Sequence, residues 1–226
     1  MILIKNHLKS YPITHTTIQL SDREIQLTIV DDPDRFLDKL SREDSEGWLF
    51  LPYWIYLWES AIGLARHISE LDRPLSDKRV LEIGCGFGLA GITACQAGAK
   101  VVFTDFEHDA LLFARHNVEQ NGIDSAIFVQ MDWNALCFQD KFDIILASDV
   151  IYEEQNWEPI LSSLQNLLSP DGVAFFSEPN RKNADGFFKC LRDNGFTYQK
   201  STCSISEDGK TIQVNIYKVE HVYSKF

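Results

Sequence analysis

Residues 14–20 and 24–30 are β-prone stretches on either side of Ser21-Asp22-Arg23, a pattern that predicts a hairpin ahead of the main body of the chain. Residues 31–44 are charged, with Phe36, Leu37 and Leu40 at helical spacing, which predicts a short amphipathic helix ending near Gly47. From Leu51 the chain is apolar almost all round through Pro52-Tyr53-Trp54-Ile55-Tyr56-Leu57-Trp58-Glu59, with Ile62, Leu64, Ala65 and Ile68 following at helical spacing. This predicts one buried helix running to about Leu71, whose aromatic end could wall a site. Beyond it, strands and helices alternate. Strands are expected at 80–83, 100–105, 126–131, 142–148 and 172–177, and helices at 89–97, from about 106 to a stop at Asn121-Gly122, at 157–168 and at 183–194. Residues 197–205 and 211–219, joined by Ser206-Glu207-Asp208-Gly209, close the chain as an antiparallel hairpin. Such alternation predicts an α/β fold: a parallel sheet covered on both faces, with ligands at the carboxyl ends of its strands.

A length of 226 residues fits one domain with a decorated end, so we expect residues 1–50 to form an N-terminal extension packed on a core domain of residues 51–226. The apolar run 48–58 contains Pro52 and falls short of the roughly 20 residues a membrane helix needs. No membrane association is expected. Five widely spaced cysteines without a C-x-x-C pair, and no signal-like leader, point to a reducing cytoplasm. A formal net charge of −12 argues against nucleic acid as a partner and is compatible with a basic protein. A monomer is expected.

The chemistry centres on Val80 to Gly91, an apolar strand running into a loop with glycine at 84, 86 and 88. Glycines there let the backbone turn sharply and approach a ligand closely, and the helix that follows points free amides at it. Gly86-Phe87-Gly88-Leu89-Ala90-Gly91 also fits the dinucleotide fingerprint, with Asp105 at a plausible ribose distance. Glu82 separates the two frames. A carboxylate there would repel a pyrophosphate yet suit the ammonium of S-adenosylmethionine (SAM).

Together, Glu82 with its three glycines, Asp105 closing the second strand, Asp132 ending the third and the terminal hairpin resemble the class I, seven-β-strand SAM-dependent methyltransferases over roughly residues 76–220. Leu57-Trp58-Glu59, Asp132-Trp133 and Ser148-Asp149-Val150-Ile151-Tyr152 are further similar to the family 16 protein methyltransferases, whose Asp-x-x-Tyr motif and upstream Trp are shared by several protein-lysine methyltransferases. The resemblance implies a three-layer Rossmann-like sandwich: a mostly parallel seven-stranded sheet with a C-terminal antiparallel hairpin, plus the N-terminal β-hairpin and helix. It implies SAM as cofactor and S-adenosylhomocysteine (SAH) as product, bound by Trp58, Glu82, Gly84, Gly86, Gly88, Asp105, Asp132, Trp133 and Ser148. Glu82 would hold the methionine end, Asp105 the ribose hydroxyls, and Asp132 with Trp133 the adenine. The methyl acceptor would be a protein side chain, a lysine amine first, with Asp149 and Tyr152 as the catalytic pair and no metal.

A lysine acceptor must lose its proton, which from a reference pKa of about 10.4 costs roughly 4 kcal/mol near pH 7.5. An aromatic, desolvated pocket and a nearby sulfonium both lower that cost. Asp149 would orient the amine, Tyr152 would shape the channel, and Glu178 and Asn180 at the end of the fifth strand could line the acceptor side. His108 and His116 lack the companions of a metal site, and Cys85 needs only to be small. Alternatives on the same residues are a small-molecule N- or O-methyltransferase, a nicotinamide oxidoreductase and a non-catalytic SAM-binding module. A nucleic-acid amino-methyltransferase is disfavoured, because Ser148-Asp149-Val150-Ile151 lacks the two prolines of the Asn/Asp-Pro-Pro-Tyr motif.

Overall fold

A computed structural model describes residues 8, 10–43, 52–72, 74–207 and 209–222. Strands β1 (Ile13–Gln19) and β2 (Glu24–Val30) form the expected hairpin, with Ile13 opposite Val30 and Gln19 opposite Glu24. Helix α1 (Pro33–Glu43) follows, and its expected stop at Gly47 lies outside the described residues. The alternating series then runs α2 (Glu59–Ser69), β3 (Arg79–Ile83), α3 (Leu89–Gln96), β4 (Lys100–Asp105), α4 (His108–Gln120), β5 (Ile127–Gln130), β6 (Phe142–Ser148), α5 (Trp157–Leu167), β7 (Leu168–Glu178) and α6 (Ala184–Asp193), and the chain ends with β8 (Phe196–Glu207) and β9 (Lys210–His221).

Seven strands make one sheet in the order β5-β4-β3-β6-β7-β9-β8. All pairs from β5 to β7 are parallel, while β9 runs antiparallel to both its neighbours. Strand β7 pairs with β6 continuously only from Val173, because the ladder is interrupted between Phe142 and Ile144. Alternation along each strand divides the core. Val80 faces a cluster shared with α2, α3 and α4, whereas Leu81 and Ile83 face one shared with α5 and α6. Three layers result, as the resemblance implied. The chain order reverses between β3 and β6, the position where open α/β sheets hold ligands.

One element departs from expectation. Residues 52–58 do not open a helix; Tyr53–Ile55 form a single 3-10 turn, Tyr56 and Trp58 are extended, and α2 starts at Glu59. A continuous helix would stack Trp54 and Trp58 one turn apart on one face. Instead Trp54 sinks among Phe87 and Phe113, and Trp58 stays half-buried with its indole N–H donated to the Tyr53 carbonyl at 3.0 Å. The segment is a strap across the cofactor loop.

The hairpin is sewn to the core through amide side chains of α4. Asn117, fully buried, accepts from the Thr28 N–H at 2.8 Å and donates to the carbonyls of Thr28 at 3.2 Å and Phe87 at 3.0 Å. Gln120 and Asn121 donate to the Gln26 carbonyl, and Asn121 accepts from the Gln26 N–H. These amides take the place of a neighbouring strand on the β2 edge. Replacing Asn117 by alanine strands three buried backbone groups, so we expect a loss of about 2 kcal/mol and faster hydrogen exchange at the Thr28 amide. Denaturant unfolding together with exchange mass spectrometry reads both.

Candidate active site

The carboxyl ends of β3, β4, β5 and β6 open into a cavity of about 460 Å³, roofed on one side by the strap. Gly84, Gly86 and Gly88 all have positive φ (62°, 50° and 80°), the left-handed region that a side chain makes costly. A Cβ on Gly84 would press on Val150 at 3.1 Å, and one on Gly88 on Ala114 at 3.1 Å. At Gly86 the nearest neighbour of a Cβ would be the Trp54 carbonyl at 3.8 Å, so bare backbone faces the cavity there. The loop is a cradle that a ligand, not a side chain, fills.

Most of the expected site residues meet on this wall: Trp58, Gly84, Gly86, Asp105, Asp132, Trp133, Ser148, Asp149 and Tyr152 line the cavity. Gly88 lies at the N-terminus of α3, just beneath the loop. Asp105 is fixed by two backbone donors, Gly86 N–H to Oδ2 at 2.9 Å and Glu107 N–H to Oδ1 at 3.0 Å. Each oxygen keeps a lone pair for a further donor, the capacity that a ribose diol requires. Asp132 receives both the backbone and side-chain N–H of Asn134 on Oδ1 at 2.8 Å, and Trp133 lies beside it.

Glu82 is placed differently from the expectation that it would meet the methionine end. Even–odd alternation on β3 turns it towards α3, where Oε2 accepts the Gly91 N–H at 3.1 Å, 2% exposed and off the cavity wall. Burial pushes its carboxyl up to about 8, with the nearby Asp105 charge adding to the effect. Burial likewise raises Asp105 to about 6 against its backbone donors. Two acids at the site therefore hold protons more tightly than in the unfolded chain. Their contribution to stability is present below their ordinary carboxylate range and is lost as pH rises through about 6 and about 8. The melting temperature of the free protein is therefore expected to fall as pH rises from about 5 to about 9, and thermal melts across that range check this.

At the other end of the cavity, Asp149 has φ of 52° and is 7% exposed. Its carboxylate is held bidentately by Arg181, Nε and Nη2 each 2.7 Å from a different oxygen. The Arg181 guanidinium also lies 6.0 Å from the Tyr152 ring centroid, and the Tyr152 ring meets Tyr53 edge-on at 5.6 Å. Burial raises the Tyr152 phenol to about 12, so it shapes and donates and does not act as a base. Cys85 is buried with its thiol pushed well up, in keeping with a packing role.

Glu178 and Asn180 do not line the acceptor side. Glu178 is fully buried, receiving Asn215 Nδ2 at 2.7 Å and the Tyr217 hydroxyl at 3.1 Å on Oε1 and the Arg181 N–H on Oε2. Asn180, at φ 54°, accepts from Asn215 at 3.2 Å. Together they shape the turn that carries Arg181. That residue, with Phe106 and Glu107 on the cavity wall, is what the sequence reading missed. The available signal was position alone: each sits just past the carboxyl end of a parallel strand, where such folds place their chemistry.

A positive-φ glycine cradle at the switch point with an acid closing the next strand is shared with dinucleotide-binding sheets, but with β9 antiparallel between β7 and β8 the seven-stranded sheet is that of the SAM-dependent methyltransferases of the seven-strand class. The bare backbone at Gly86 and the lone pairs of Asp105, both on the cavity wall, fit that cofactor. The chain belongs to the lysine methyltransferase family, whose model matches residues 55–194. It is 35% identical to protein N-lysine methyltransferase METTL21A of Danio rerio, covering 69% of this chain and 74% of that protein. It is also 35% identical to the histidine protein methyltransferase 1 homolog of Dictyostelium discoideum, covering 54% of this chain but only 41% of that protein. Among solved structures, the ribosomal protein L11 methylase of Lactobacillus delbrueckii subsp. bulgaricus superposes with a TM-score of 0.62 at 21% identity, covering 91% of this chain and 98% of that one, a likeness of fold.

Proposed function

We propose that this enzyme transfers the methyl group of SAM to a protein side chain, with a lysine amine as acceptor. The observation that carries the reading is the pairing of one cavity's two ends: the glycine cradle with Asp105, and Asp149 with Tyr152 on the turn after β6. When bound, SAM supplies an activated methyl on a sulfonium. The chain's own residues then have to align an uncharged amine and keep water away. Tyr53, Trp58 and Tyr152 make the mouth aromatic, which favours the neutral amine, and Asp149 offers an acceptor for its N–H. The names of relatives acting on lysine and on histidine both support a protein acceptor, and the family match supports lysine.

Incubating the enzyme with tritiated SAM and a lysate of its source organism is expected to label a discrete protein band, with the label recovered as methyl-lysine after hydrolysis. Label confined to material passing a small-pore filter would favour a small-molecule acceptor. SAM binding with no labelled product of any kind would favour a non-catalytic module. We further propose a monomer acting in a reducing cytoplasm, where five cysteines that form no disulfide would stay reduced. Light scattering at the 25.9 kDa of one chain would agree.

A further inference from the structure

Asp149 faces the cavity, while Arg181 reaches the same carboxylate from outside the cavity wall. The pair is built with care for a group that only orients an amine. Both oxygens are engaged, the Asp149 side chain is 3% exposed, and both ends are held by non-glycine backbone in the left-handed region, at Asp149 itself and at Asn180. The turn bearing Arg181 is anchored through Glu178 to Asn215 and Tyr217, and Asn183 in the same turn donates to the Tyr152 carbonyl at 3.0 Å. The charged groups around the pair are Glu178 from β7 and Glu59 from α2, both acidic, so Arg181 is the cation that the surroundings supply.

A bare carboxylate beside an amine draws it into an ammonium, which has no lone pair for a methyl group. A carboxylate already neutralised by a bidentate guanidinium can still accept one N–H but exerts little pull on a proton. We propose that Arg181 is a positioning residue that acts through Asp149, keeping the carboxylate ionised yet paired so that the acceptor amine is taken up uncharged. The inference rests on Asp149 being the group that meets the amine, and its test needs no knowledge of the acceptor protein.

Sinefungin, the SAM analogue with an amine-bearing carbon in place of the methylsulfonium, puts an amine where transfer occurs; SAH shares the rest of the molecule. In the unaltered enzyme, the preference for sinefungin over SAH is expected to rise by about tenfold per pH unit from pH 6 to 8, as the amine must shed a proton to bind. In Arg181→Gln the amine and Asp149 keep that proton between them, and the preference is expected to change by less than about twofold over the same interval. Arg181→Lys keeps a cation without the bidentate fork and should regain part of the rise. The double variant Asp149→Asn/Arg181→Gln should regain the rise, which a purely structural role for Arg181 would not produce. SAH affinity in each variant reports whether the cofactor site is intact. A flat profile in the unaltered enzyme or in Arg181→Lys overturns the proposal, as does an undiminished rise in Arg181→Gln. Failure of the unaltered enzyme to bind SAH at all would instead strike at the reading of the cofactor site.

Discussion

Alanine at Gly91 is expected to destabilise the protein by about 3 kcal/mol or more, lowering the thermal midpoint by about 6–12 °C for a single added methyl. A Cβ at Gly91 would overlap Phe103 Cε1 and Glu82 Oε2 and come within 2.8 Å of Phe103 Cζ. None of these can retreat. Phe103 is fully buried and stacked on Phe128 with centroids 5.1 Å apart, and Glu82 is tied to the Gly91 amide itself. The third glycine of the apparent dinucleotide fingerprint therefore serves the close approach of α3 to the sheet. Gly122→Ala provides the comparison, since nothing lies within 4 Å of a Cβ there and only its φ of 72° opposes the change, costing about 1 kcal/mol. Differential scanning calorimetry of both variants tests the argument, which fails if Gly91→Ala melts within about 2 °C of the parent protein.

The second large effect is on ligand affinity. Asp105→Ala is expected to weaken SAM and SAH alike by about 100-fold or more, because it removes a charged acceptor for two hydroxyls and also frees the Gly86 and Glu107 amides that it holds in place. Asp105→Asn keeps one oxygen acceptor and should lose about tenfold. Stability should move the other way. Burial makes the ionised Asp105 unfavourable in the free protein, so above about pH 6 the asparagine variant should melt no lower than the parent. Titration calorimetry with thermal melts at pH 8 separates the two effects, and an asparagine variant that binds SAH normally would remove Asp105 from the cofactor site.

Sequence and structure agree best where local pattern and tertiary setting ask for the same thing. The buried strand 142–148 is found residue for residue, since an apolar run flanked by charged and polar residues has one way to sit in a parallel sheet. The glycine loop and Asp105 are legible because backbone freedom and charge are properties of the residues themselves. Directions are not. Glu82 lies one position from Ile83, and that single step of the pleat carries it from the cavity side to the α3 side. The strap at 52–58 misleads because a stretch apolar all round says only that it is buried, and its aromatics serve two destinations that one helix cannot reach. Glu178 looks functional at the end of a strand, yet its partners Asn215 and Tyr217 lie on a hairpin nearly forty residues further along the sequence, a gap spanned at 2.7 Å and 3.1 Å in space. No local window contains that contact.

The same long-range anchor sets an order of assembly. The cofactor cradle, Asp105 and Asp132 come early in the chain, but β3 pairs with the later β6, and α2, which follows the strap, packs Gly63 against Val214 and Cys203 of the β8–β9 hairpin. Until β9 emerges, β7 is an open sheet edge and Glu178 has neither Asn215 nor Tyr217 to hold it. The helix behind the roof of the pocket and the turn that holds Arg181 against Asp149 thus both wait for the same hairpin.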